Sequence, residues 1–216
     1  MQRRLFRRID GAFIGKCKCL DNKMASYIFA DPVKTSKGGI IVPVLAAKTG
    51  ADVTWLLDEE TSVPWAPSNM SDPESSRLNM CFHPTPQIES LCANLDKWAV
   101  AELTKHSKRL LGKEMTNEQV KAMYQPSLKT SQKGLVHLKT KLQLGNGRSC
   151  TRFWAENGAR CEPPDDYFEH NFKANVCVRH LYVMPKEVGF VIEIRDLRLR
   201  KQNLECPFFA LEPAAE

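Results

Sequence analysis

The sequence predicts a mainly β protein, a small barrel or sandwich interrupted by a helical insertion. Short β-type runs recur along the chain, each bounded by turn residues: "SYIFAD", "IIVPVLAA", "ADVTWLLD", "RLNMCFH" and "LVHLKTKLQL" before residue 145, and three more after it. Between residues 94 and 124 the apolar period lengthens from two to the helical i, i+3/i+4 step. The chain has 216 residues, 43% hydrophobic and 26% charged, which suffices for one sizeable core. No apolar run approaches the roughly 20 residues that span a bilayer.

Residues 1–23 set Arg3, Arg4, Arg7 and Arg8 around Leu5 and Phe6. Two readings stay open: a mitochondrial or plastid presequence, or a basic arm or translated leader ahead of Met24. The domain is expected over 24–208, with the helical insertion at 94–124 and a short tail at 209–216. Within "IIVPVLAA", Pro43 donates no ladder hydrogen bond and so implies an edge or a bulge. Residues 61–76 carry Pro64, Pro67 and Pro73 around Trp65 and read as a loop. Leu95, Trp98, Ala99, Leu103, His106 and Leu110 then mark a helix over 94–111, stopped by Gly112. Thr116-Asn117-Glu118-Gln119 is a capping box that opens a second helix to about Tyr124, closed by Pro126.

In "LVHLKTKLQL" the residues Val136, Leu138, Thr140, Leu142 and Leu144 alternate with His137, Lys139, Lys141 and Gln143. Strict alternation makes a half-buried strand whose outward side is a row of nitrogen donors. Gly145-Asn146-Gly147 signals a hairpin turn, with "SCTRFWA" as the return strand. If Thr151 and Phe153 point inward, Arg152 and Trp154 stand outward beside Lys139 and Lys141. Arg148 then sits at the tip, with Lys129 and Lys133 just upstream. Cations that track phosphates, beside an aromatic that stacks on bases, are what a single nucleic-acid strand requires. Charge distribution agrees. Residues 97–152 hold 12 Lys/Arg against 3 Asp/Glu, whereas 24–96 hold 4 against 9, within a net charge of +6.

Catalysis and metal binding find little footing. The eight cysteines include no Cys-x-x-Cys pair and read as reduced, structural thiols. His83, His106, His137, His170 and His180 are scattered. Asp165, Asp166, Glu169 and His170, after Pro163-Pro164, read as a turn cap rather than an acid–base site. No phosphate-binding glycine loop precedes a helix. The expectation is a non-enzyme without cofactor or metal. The rival is a β-rich structural or scaffold protein acting through Trp65, Phe208 and Phe209.

The order of pieces resembles the OB-fold single-stranded DNA-binding proteins of replication, as found in tailed phages and large eukaryotic DNA viruses. The likeness lies in "GGIIVPVL", "LDKWAVAELTKHSKRLLGK", "MYQPSLK" followed by "LVHLKTKLQL", and "VCVRHLYVMPKEVGFVIEIRDLRL", and covers roughly residues 26–208. It implies an OB-like five-stranded barrel with a helical insertion and extra strands, closed by the last hairpin. It also implies a strand-facing role for Lys129, Lys139, Lys141, Arg152 and Trp154, in coating single-stranded DNA during replication, recombination or repair. RNA is the other candidate strand. Trp65 is expected as a second stacking platform, and Lys105, Lys108 and Arg109 as an extension of the basic track along the groove end. The expected setting is intracellular, nuclear or at a viral replication site, without membrane contact. Phage members end in a long acidic tail that recruits replication proteins. This chain ends "LECPFFALEPAAE", which leaves Phe208 and Phe209 as the candidate partner anchor.

Overall fold

A computed structural model describes residues 27–36, 38–69, 71–72, 74–145 and 150–202. Its spine is a long antiparallel hairpin of β10 (His170–Val183) and β11 (Val188–Lys201). Along β10, Phe172, Ala174, Val176 and Val178 are buried while Lys173 and Asn175 are not, the period of a half-buried strand. Two bulges interrupt the pairing. Arg195 is the extra residue where Asn175 and Val176 meet Asp196 and Ile194, and Arg179 is the extra residue before His180. Each bulge bends and twists the hairpin.

Each flank of this hairpin carries a strand in two pieces. Beside β10, β3 (Ile40–Ala46) pairs with residues 180–183, and β4 (Val53–Thr61) with residues 172–178. Beside β11, β7 (Val136–Gln143) and then β8 (Arg152–Trp154) both run parallel to it. β5 (Arg77–Phe82) continues the sheet beyond β7. β6 (Leu128–Thr130) forms a hairpin with β7, and β9 (Arg160–Cys161) pairs with β8. β1 (Tyr27–Phe29) and β2 (Val33–Lys34) line the outer edge of β3. That edge breaks beside Pro43, whose carbonyl accepts from Ala30 N but which has no N–H to return. β3 is thus no edge strand, being paired on both sides, and the accommodation expected at this proline is the gap between β1 and β2. The architecture is mainly β, an open mixed sheet with a helical insertion.

The insertion begins earlier than the sequence pattern implied. α1 runs from Pro86 to Lys105, not from residue 94. Thr85 caps it by accepting from Ile88 N, and Pro86 occupies the first helical position, where its missing N–H is harmless. The prolines of "HPTPQ" that look like breakers are thus a start signal. Gln87 clasps β4, donating to Leu56 O and Asp58 Oδ1. After a break at His106, α2 (Ser107–Leu111) ends on Gly112 at φ +79. α3 (Asn117–Met123) opens with the expected capping box of Thr116 and Gln119.

α1 buries Ile88, Cys92, Leu95, Ala99 and Leu103 against the inner side of the sheet, including Val42, Leu57, Phe82 and Leu138. Burying a side chain of Leu or Ile size contributes about 1.5–3 kcal/mol. Asp96, on the same helix, accepts from Tyr124 Oη, Ser127 N and Ser127 Oγ, which fixes the entry into β6. With the helices on its inner side, the sheet leaves its other side to solvent. Among the described residues no helix is long and apolar enough to cross a membrane.

Candidate nucleic-acid interface

The outward side of the sheet holds the donor row. In β7, Leu138, Thr140 and Leu142 are buried, Lys139 is exposed and Lys141 is half-buried. Opposite them in β5 stand Cys81, Asn79 and Arg77, paired with Lys139, Lys141 and Gln143. Lys141 Nζ donates to Asn79 Oδ1 at 2.7 Å. Burial, followed by the neighbouring charges of Lys139 and Arg77, pulls the Lys141 ammonium below the usual lysine range. An ammonium crowded by like charge gains from any anion that approaches it.

The alternation expected through His137 is broken at its start: Val136 is exposed and His137 is 6% exposed. Trp65 is the reason. From the loop after β4 it packs edge-on over the imidazole, with ring centroids 4.8 Å apart and planes at 73°. Trp65 is therefore seated on the Lys139 side of the sheet. Lys129 is paired with His137 across the β6–β7 hairpin, and Lys133 lies in the turn of that hairpin.

The hairpin expected over residues 135–155 does not form. β7 makes its antiparallel pairs with β5 and β6, and β8 lies parallel to β11 instead of returning along β7. Thr151 N donates to Gln143 O, closing an excursion after which β8 continues in the direction of β7. β5 and β11 already flank that end of β7, which leaves no free edge along which β8 could return; Asn146 and Gly147 lie outside the described residues. The outward facing of Arg152 and Trp154 survives by another route. Registered residues of a parallel pair share a face, and these two register with Asp196 and Arg198 of β11. Lys139, Lys141, Arg152 and Trp154 thus occupy one wall, joined through β11.

Asp196 organises the β8 end. Its carboxylate accepts from Arg152 at 2.7 and 2.8 Å, from Trp154 Nε1 at 2.9 Å and from Asn175 Nδ2 at 3.0 Å. Burial raises its pKa, but the hydrogen bonds from Arg152, Trp154 and Asn175 outweigh burial and hold the carboxyl below its usual range. The guanidinium of Arg152 stands 5.9 Å from the indole centroid. Replacing Asp196 by Ala is expected to cost about 1–3 kcal/mol near neutral pH, because three donors lose their acceptor. A depressed carboxylate stabilises fully above its unfolded pKa of about 3.9, and that contribution is lost as pH falls through the lower folded value. Urea denaturation at pH 7 and pH 3 checks this: the deficit of Asp196→Ala should narrow at the acidic pH.

Arginines that sequence periodicity missed complete the wall. Arg77 pairs with Glu193 at 2.8 Å, Arg179 reaches Glu193 at 3.6 Å and Asp52 at 3.2 Å, and Arg195 also pairs with Asp52. Arg200 pairs with Glu60 and Glu156, and Arg198 donates to Glu156 O. Arg198 and Arg200 had a readable signal, alternating with Leu197 and Leu199 as the lysines of β7 do. Arg179 and Arg195 had none, since both are bulge residues.

Lys105, Lys108 and Arg109 do not join this wall. They sit on the inner-side helices, pairing with Glu102, Glu114 and Asp31, and Arg109 also donates to Phe29 O beside the far edge of the sheet. Arg148, Phe208, Phe209 and the basic arm 1–23 lie outside the described residues. Asp166 accepts from Phe168 N, and its carbonyl lies 3.0 Å from His170 Nδ1, the geometry of a turn cap. Among the described residues no group of three or more His, Cys, Asp and Glu could hold a metal, and the five described cysteines are free.

Similar solved structures come from phages. The single-stranded DNA-binding protein of bacteriophage Enc34, solved with single-stranded DNA, is 9% identical, and the match covers 82% of this chain and 97% of that one at a TM-score of 0.44. The single-stranded DNA-binding protein gp2.5 of bacteriophage T7 is 9% identical over 77% of this chain and 98% of its own, at a TM-score of 0.46. No protein-family model matches the sequence, and no curated protein does.

Proposed function

We propose that this chain binds single-stranded nucleic acid without sequence preference and coats exposed DNA strands during replication, recombination or repair. One observation carries the reading: Lys139, Lys141 and Arg152 share an outward wall with two partly exposed indoles, Trp65 and Trp154. The cations attract phosphates wherever they fall along a strand, and an indole accepts the face of any base. Neither interaction asks for a sequence. The reaction is association alone. Phosphate contacts release condensed counterions, and stacking excludes water from the apolar faces of ring and base.

A fluorescent oligo-dT titration at two salt concentrations tests this, with oligo-rU and a duplex alongside. Oligo-dT should bind more tightly than duplex, and its affinity should fall with salt at a log–log slope of about 0.7 per phosphate neutralised. Indifference to dT at low salt would return the chain to the structural reading.

A further inference from the structure

The outward side of the sheet is divided. Its β5–β7–β8 half is cationic, but its β2–β3–β10 half is apolar and aromatic. Tyr182 pairs with Ile41 of β3 on one side and Gly189 of β11 on the other, and His180 pairs with Pro43 and Val191. Val33, opposite Ile41, is 50% exposed. The two halves meet on β11, where the next outward residue after Val191 is Glu193, the neighbour of Lys141.

Gly189 explains the attitude of the tyrosine. A Cβ at this position would lie 2.8 Å from Tyr182 Oη and 3.0 Å from Cζ, so the ring rests against bare backbone. Tyr182 is only partly buried, on the outward side with His180. Burial holds the His180 imidazole below the usual histidine range. Glu193 opposes that shift, and Arg77 and Arg179 reinforce it. A neutral imidazole is cheaper to cover than a charged one.

A single strand has the same two-sided chemistry, a line of phosphates along one edge and unpaired apolar faces along the other. β11 alone separates β7 from β10, so the two halves stand about 10 Å apart. We propose that Tyr182 and His180 form a platform for the unpaired bases of a single strand whose phosphates follow Lys139 and Lys141. This rests on the binding function proposed above and adds the basis of discrimination against duplex, in which the base faces are stacked on one another.

The test compares the unaltered chain with Tyr182→Ala and Tyr182→Phe, using oligo-dT and an abasic oligomer of equal length. Tyr182→Ala should lose roughly tenfold or more toward dT and nothing toward the abasic oligomer, while Tyr182→Phe stays close to the unaltered chain. Photo-crosslinking of the unaltered chain to an iododeoxyuridine oligomer, mapped by mass spectrometry, needs no variant and should mark Tyr182 or His180. The platform is refuted if the unaltered chain binds dT while Tyr182→Ala, natively folded, binds it equally well. Equal losses toward dT and abasic oligomer, or crosslinks confined to other strands, refute it too. Failure of the unaltered chain to bind dT removes the binding function itself, and the platform with it.

Discussion

Reversing the charge of Lys139 and Lys141 together should weaken oligo-dT binding more than tenfold at low salt. It should also flatten the log–log salt dependence by about 0.7 for each phosphate that is no longer neutralised. The two lysines differ in what else they do. Lys139 is exposed and its side chain takes part in none of the ion pairs or hydrogen bonds among the described residues, so Lys139→Glu should leave stability within about 0.5 kcal/mol. Lys141 donates to Asn79 and neighbours Glu193, so a glutamate there adds repulsion to the loss of that bond. Lys141→Gln is the cleaner companion, removing the charge while leaving a donor for Asn79. Fluorescence anisotropy, with thermal melting of each variant beside it, separates a binding defect from a failure to fold. A natively melting double variant that binds like the unaltered chain would move the interface elsewhere.

The largest effect on stability is expected at Phe172. It is fully buried near the start of β10, between the rings of Phe82 and Tyr167 at centroid distances of 6.4 and 6.1 Å. Truncation to Ala removes apolar packing on both sides and opens a cavity that two strands cannot collapse to fill. The cost should be about 3–5 kcal/mol, a large share of the roughly 5–15 kcal/mol that holds a typical domain together. Phe168, only four residues earlier and 51% exposed, is the control: Phe168→Ala should change stability by less than about 1 kcal/mol. Urea denaturation followed by tryptophan fluorescence measures both.

Particular residues show what the sequence made legible. Alternation placed Lys139, Lys141, Arg152 and Trp154 on the outward side correctly, although the pairing assumed for them was wrong. Period two fixes which side a residue takes whatever strand lies beside it. The partner is set instead by long-range competition among strands, and nothing near residue 145 records that β5 and β11 occupy both edges of β7. The start of α1 was hidden for a different reason. Thr85-Pro86 is a breaker in a strand and a cap in a helix, and local residues alone do not choose. His137 was correctly placed outward, but its burial depends on Trp65, 72 positions away. Arg179 and Arg195 were beyond any periodic reading, because a bulge is where the period fails.

The carboxylates of Asp52 and Glu193 pair with three guanidinium groups on β5, β10 and β11 before any ligand arrives. Long basic side chains normally lose rotational freedom on association, roughly 0.5–1.5 kcal/mol each. Under the proposed function part of that loss falls at folding, and a polyanion bound at these arginines would exchange one anion for another.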